Sequence, residues 1–204
     1  MRTLNLCCAV CLACLLYILP AQADPSPTDN LKPSLTKLTN LLSDPSLKGD
    51  DHKTVRREKI MSSIKEGFDF QEMSKRILGA EWNNISGDEQ KHFTTLMTKL
   101  LENVYIGKLE GYSGQAIDYV GEKIKDGRAQ VATVIENNGQ KIPISYIMMF
   151  NNTKWMVYDI NIEGVSLIRN YMEQFKSILR TEKYAGLIRV IEEKNQSFES
   201  GAVK

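Results

Sequence analysis

Cysteine is almost absent, and its placement decides what the absence excludes. The 204-residue chain has four, Cys7, Cys8, Cys11 and Cys14, all near the amino terminus. Beyond Cys14 there is no thiol, which removes disulfides, thiol nucleophiles and thiolate metal sites together. Histidine is scarcer still, with only His52 and His92. Neither has a nearby histidine or paired carboxylates at metal-ligand spacing. No GxGxxG, P-loop or GxSxG motif occurs, so no phosphate cradle or nucleophile elbow is visible. Ser166, after Gly164-Val165, reads as a helix cap rather than a nucleophile. Glu192-Glu193 sits on a polar helix end without a partner for acid–base work. Charge of one sign is lacking too. Setting Arg2 aside, 25 of the 26 basic residues remain against 25 acidic ones. That balance offers nucleic acid no electrostatic footprint.

Long apolar runs are also missing, with one exception. Arg2 precedes an apolar run from Leu4 to Ile18 that ends at Pro20. A membrane span needs roughly 20 apolar residues, so the run suits a signal peptide better. Ala21-Gln22-Ala23 is a small-x-small cleavage site. A lipoprotein signal fits less well, because Cys11 occupies the aliphatic lipobox position and Cys14 lies inside the apolar run. The expected organisation is a cleaved signal at 1–23, one domain at 24–195 and a flexible tail at 196–204. About 180 residues suffice for a single domain with its own core.

What is present is organised around Trp155 to Phe175, WMVYDINIEGVSLIRNYMEQF. Its first half alternates like a strand, its second half has helical spacing, and Glu163-Gly164 joins them. Upstream, Leu31, Leu35, Leu38, Leu41 and Leu42 predict a helix to about Ser43, ended by Asp44-Pro45. A second helix spans about Asp51 to Glu66, with Val55, Ile60, Met61 and Ile64 as its apolar face. Its charged run, Lys53, Arg56, Arg57, Glu58 and Lys59, reads as a solvated surface, with docking as the alternative. Asp69 caps a short third helix that Gly79 stops. Ser86 and Glu89 form a capping box that opens the longest helix, about Gly87 to Glu110.

After Gly111 the period changes to two. Ala116–Ile124, Arg128–Glu136, Lys141–Phe150 and Lys154–Ile162 read as strands. Asp126-Gly127, Asn138-Gly139 and Asn151-Asn152 are the turns between them. Tight turns without crossover helices predict an antiparallel meander. Ile142, Ile144, Tyr146 and Met148 share one face of the third strand. In the fourth, strict alternation sets Trp155, Val157, Asp159 and Asn161 against Met156, Tyr158, Ile160 and Ile162. Pro143 cannot donate a ladder bond and is expected at an edge or bulge. Two further helices follow, from Ser166 to about Arg180 and, capped by Thr181, from Glu182 to Lys194. The fold class is therefore α+β: a four-stranded antiparallel meander wrapped by six or seven helices.

An apolar surplus remains. The strands carry Ile117, Tyr119, Val131, Ile144, Tyr146, Met148, Trp155 and Val157. The helices offer Leu96, Leu100, Tyr105, Leu167, Tyr171 and Phe175. Pattern alone does not separate a filled core from a cavity kept open for a ligand.

FDFQEMSKRILGAEWNNISGDEQKHF, LEGYSGQAIDY, KIPISYIMM, WMVYDINIEGVSLIRNYMEQF and the closing LI-x-x-I segment resemble the MlaC or toluene-tolerance family, in the family's order. The resemblance covers nearly all of the chain beyond the signal. It implies a periplasmic phospholipid carrier that helps maintain outer-membrane lipid asymmetry, with an antiparallel sheet wrapped by helices around a lipid pocket. It implies no catalytic residue, no metal and no cofactor other than bound phospholipid as cargo. The implied partners are an inner-membrane ABC transporter complex with an MCE-domain subunit and an outer-membrane lipoprotein complex. A monomer suffices for such a task.

With that resemblance, the fourteen strand and helix residues named above become the expected pocket lining, with acyl chains between the inner sheet face and the helices. Arg169 and Asn170 follow the joint, at the pocket mouth, on a partner surface or in solvent. Gly111, Gly164 and Gly186 are candidate hinges. The competing readings are an exported adaptor module with a filled core and a small exported hydrolase on a similar body.

Overall fold

The strand alternation read from the sequence forms one open sheet. In the computed structural model, which describes residues 26–112, 114–137 and 139–202, β1 (Ile117–Lys125), β2 (Arg128–Asn137), β3 (Gln140–Phe150), β4 (Trp155–Ile162) and β5 (Val165–Ser166) lie in sequence order. All neighbours pair antiparallel. The proposed signal peptide lies outside the described residues. The expected meander gains a fifth strand of two residues. Glu163 and Gly164, at φ 52° and 86°, make a two-residue turn. That turn folds Val165 back onto Ile162. Asp126-Gly127 joins β1 to β2 by the same device, at φ 51° and 70°.

The helices are α1 (Pro27–Ser43), α2 (Lys53–Gly67), α3 (Phe70–Leu78), α4 (Gly87–Glu110) and α5 (Leu167–Glu199), with three short 3-10 turns among the described residues. Both halves of the Ser86–Glu89 capping box are present at the start of α4. The last two expected helices are one element. Thr181 does not cap a new helix, because its hydroxyl donates to the Ser177 carbonyl one turn back. The interruption falls at Lys183, at φ 61°. A Cβ on Gly186 would lie 2.2 Å from the Glu182 Cβ, so the bend needs glycine there. The helix also runs past the expected tail boundary at 196, and Phe198 packs half-buried against the helical core.

The sheet is covered on both faces. One face carries Ala129, Val131, Tyr146, Met148, Trp155 and Val157 against Leu31 and Leu35 of α1 and Phe68. The opposite face presents Ile147, Met149 and Tyr158 to α3, α4 and α5. The chain passes from one side to the other at the edge of β4, where Phe68 bridges Val157 and the Asp69 N–H donates to the Val157 carbonyl. Phe70, just after the crossing, packs against both clusters.

Two expectations about the strands need correction. Strict alternation fails in β4, because the pairing slips between Ile147 and Met148: Ile147 faces Asp159 while Met148 faces Val157. Tyr158 is the extra residue of a β-bulge. Trp155 and Val157 therefore share a face with Ile160 and Ile162. Tyr158 and Asp159 turn together to the helical side. Pro143 lies in an inner strand, opposite Val134. Its carbonyl accepts from the Glu163 N–H at 3.0 Å. A strand residue's N and C=O point the same way, so the missing N–H faces the turn after β4, where no ladder partner remains.

The charged run of α2 is only partly solvated. Arg57 donates to Glu102 and Asn103 of α4. The Asn103 amide donates to the buried Asn195 of α5, which in turn donates to the Leu96 carbonyl at 3.1 Å. This polar chain ties three helices together and satisfies each buried amide.

Candidate functional site

Cover over the α1 side of the sheet is uneven. At one end α1 is pinned: the Thr28 N–H and hydroxyl donate to Glu122 at 2.7 and 2.6 Å. The Trp155 N–H donates to Asn30 at 2.7 Å. Glu122 thus stands at the amino-terminal turn of α1, where the helix dipole favours a carboxylate. Beneath it the cross-strand row Ala129–Met148–Val157 is fully buried, as are Val131 and Tyr146 in the next row.

The rows toward the other end lose their cover. Tyr119, Thr133, Ile144 and Ile162 form one row, and only Thr133 is buried. Ile117, Ile135 and Ile142 form the last, and all three are half-buried, as is Ile160. One sheet face thus passes from a closed core into an apolar band with incomplete cover. Beside it, Leu38 and Leu42 of α1 and Ile60 of α2 make a third cluster with Ile106 and Leu109 of α4 and Tyr112.

The expected lining residues do not all meet. Ile117, Tyr119, Val131, Ile144, Tyr146, Met148, Trp155 and Val157 all belong to the α1-side cluster or pack against it. Leu100, Leu167, Tyr171 and Phe175, with Leu96 and Tyr105 half-buried around them, belong to the cluster on the opposite face. The two sets are separated by the sheet itself. The band also includes Ile135, Ile142, Ile160 and Ile162, which the expected lining omits. Ile142 was legible from its alternation with Ile144, whereas Ile160 and Ile162 were hidden by the bulge.

Each layer has its own tyrosines. Burial pushes the Tyr146 phenol well above its ordinary range, and neighbouring Tyr119 pushes it further. Tyr171 is raised by burial first and by Tyr105 second. Behind β4, Asp159 accepts from the Ser166 hydroxyl at 2.6 Å and the Ile168 N–H at 3.0 Å, while Ser166 accepts from the Arg169 N–H at 3.0 Å. These two side chains seat the amino terminus of α5 on the strand. Arg76 stacks on Tyr158, 3.9 Å from the ring centre. The residues of the VYD-x-x-IEGVSL stretch thus serve the bulge, the turn and the cap.

Concavities elsewhere do not compete. One of about 680 Å³ runs along Asp29, Lys32, Pro33, Thr36, Lys37, Asn40, Leu41 and Asp44. That is the outer stripe of α1, opposite the buried Leu31, Leu35, Leu38 and Leu42. Another, of about 460 Å³, lies at the crossing segment, between Phe68, Phe70 and Met156 and the threonines of α4. Among the described residues no three His, Cys, Asp or Glu side chains gather to hold a metal ion. His92 is half exposed and lies 3.4 Å from Glu192. Among the same residues, no helix is long and apolar enough to cross a membrane.

The MlaC protein family model matches residues 33–193. The chain belongs to the MlaC family. The intermembrane phospholipid transport system binding protein MlaC of Haemophilus influenzae is 25% identical over 119 residues, 55% of this chain and 56% of that protein. The match thus spans little more than half of that relative's length. A solved structure of the phospholipid-binding protein from Ralstonia solanacearum, in complex with a phospholipid, superposes with a TM-score of 0.79. It is 23% identical and covers 86% of this chain and 99% of its own, which establishes a shared fold. In this MlaC-family chain, the matched segment contains the sheet, the crossing at Phe68 and the seat of α5.

Proposed function

We propose that the protein is a phospholipid carrier whose acyl chains lie on the α1-side sheet face, over the half-covered band from Ile117 to Ile162. The observation that carries this reading is the loss of cover along a largely apolar wall, in which Thr133 and Tyr119 bear hydroxyls. A C16 chain has roughly 14 methylenes, and at ~0.8 kcal/mol each its exposure costs on the order of 11 kcal/mol. A carrier must therefore sheathe most of the chain. A mostly aliphatic wall whose own cover is incomplete supplies that sheath, and the buried hydroxyl of Thr133 is already bonded to the Ile144 carbonyl. The headgroup stays in water, which fits a balanced surface charge.

The pocket lining thus narrows to Ile117, Tyr119, Val131, Ile144 and Tyr146 of the expected strand residues, joined by Ile135, Ile142, Ile160 and Ile162. Leu96, Leu100, Tyr105, Leu167, Tyr171 and Phe175 then form the supporting core behind the sheet. The protein acts without catalysis and without a cofactor, in the periplasm after loss of residues 1–23. It works as a monomer between an outer-membrane lipoprotein complex and an inner-membrane ABC transporter complex with an MCE-domain subunit. The named relative's role in intermembrane phospholipid transport supports this assignment.

Native mass spectrometry of the exported protein, followed by lipid extraction, tests the reading. The expected result is bound phospholipid near one molecule per chain. A protein that carries no adduct after incubation with vesicles would instead be an adaptor with a filled core.

A further inference from the structure

Tyr119 stands where the apolar band meets water. It lies in β1, half-buried, in the row with Thr133 and Ile144. The Lys32 ammonium, on the exposed flank of α1, is 5.7 Å from the centre of its ring. Among the described residues no carboxylate pairs with Lys32. Deeper in the wall, the Thr133 hydroxyl donates to the Ile144 carbonyl at 3.2 Å and is satisfied within the protein. The Tyr119 hydroxyl has no such partner among the described residues, although phenylalanine would complete an apolar wall equally well. At that edge the hydroxyl is not among the buried unpaired groups, so it is open to water and to an acceptor on a bound lipid.

From solvent inward the order is an ammonium, a phenolic donor and an aliphatic band. A glycerophospholipid presents the matching order of phosphodiester, ester carbonyls and acyl chains. We infer that Lys32 and Tyr119 form a recognition site for the polar junction of a glycerophospholipid, Lys32 pairing with the phosphate and Tyr119 donating to an ester carbonyl. The inference rests on the carrier reading and adds to it the linkage chemistry of the cargo. The Tyr119 phenol, raised by burial, stays protonated and able to donate at neutral pH.

The test offers the exported protein vesicles containing equal amounts of diester and diether phosphatidylethanolamine with identical chains. Bound lipid is identified by mass spectrometry. The wild type is expected to take the diester about fivefold over the diether, the factor for one neutral hydrogen bond. Tyr119→Phe, which keeps the ring, is expected to take both evenly and to melt like the wild type. Lys32→Gln is expected to slow uptake of both lipids and to flatten its dependence on salt. Equal uptake of the two lipids by the wild type, or a preference that survives Tyr119→Phe, overturns the role of Tyr119. Unchanged salt dependence in Lys32→Gln overturns that of Lys32. If the wild type takes up neither lipid, the carrier reading itself fails.

Discussion

Asp159 commits both carboxylate oxygens to the start of α5, one to the Ser166 hydroxyl and one to the Ile168 N–H. Replacing it by alanine orphans a backbone donor and releases the Ser166 cap from its support. Asp159→Ala is expected to destabilise the fold by about 2 kcal/mol, with Ser166→Ala nearer ~1 kcal/mol. Urea unfolding followed by circular dichroism measures both. The tyrosines make a second prediction at this scale. Burial raises Tyr146 and Tyr171, and raises Tyr184 to about 12, above the unfolded value near 10. A raised phenol favours the protonated fold. Its contribution is complete below about pH 10 and is lost as pH climbs through the folded values. The melting temperature is therefore expected to fall steeply above pH 10, with phenolate absorbance appearing together with unfolding. Tyr171→Phe should make that fall shallower.

At the scale of elements, the question is which side of the sheet holds cargo. The chain carries a natural reporter on each side. Trp155 belongs to the α1-side cluster and Trp82 to the helical cluster opposite. Phospholipid brominated near the acyl terminus is expected to quench Trp155 and spare Trp82, which the single-tryptophan variants Trp82→Phe and Trp155→Phe resolve. Quenching of Trp82 alone would place the chains on the helical side. Much of this architecture was legible in local signals. Asp126-Gly127, the Ser86–Glu89 box and Asp69 each dictate their own geometry through a few atoms. The division of the expected pocket into two layers was not legible, because alternation tells which residues share a face and not which helix covers it. The bulge at Tyr158 was equally hidden. Nothing in WMVYDINI distinguishes a strand with one extra residue from a regular one, and that residue reverses the apparent partners of Ile160 and Ile162. The end of α5 was missed because 196–204 is polar, yet a single aromatic, Phe198, suffices to dock the last turn.

For the whole molecule, a ligand that binds only the folded state raises its stability with the logarithm of its free concentration relative to Kd. Stripping bound phospholipid is expected to lower the melting temperature by a few degrees while leaving one cooperative transition, checked by calorimetry of the two forms. The reason is the partition described above. The sheet stands between two apolar clusters, and Phe70 is half-buried against both. Arg57, Asn103 and Asn195 bind α2, α4 and α5 to one another. A shuttle spends part of every cycle unloaded, and an unloaded wall of isoleucines invites collapse or aggregation. The half-covered rows lie at one end of one face, whereas the helices behind the sheet pack in a separate cluster. On the carrier proposal, the return journey, made empty, rests on the same fold as the outward one.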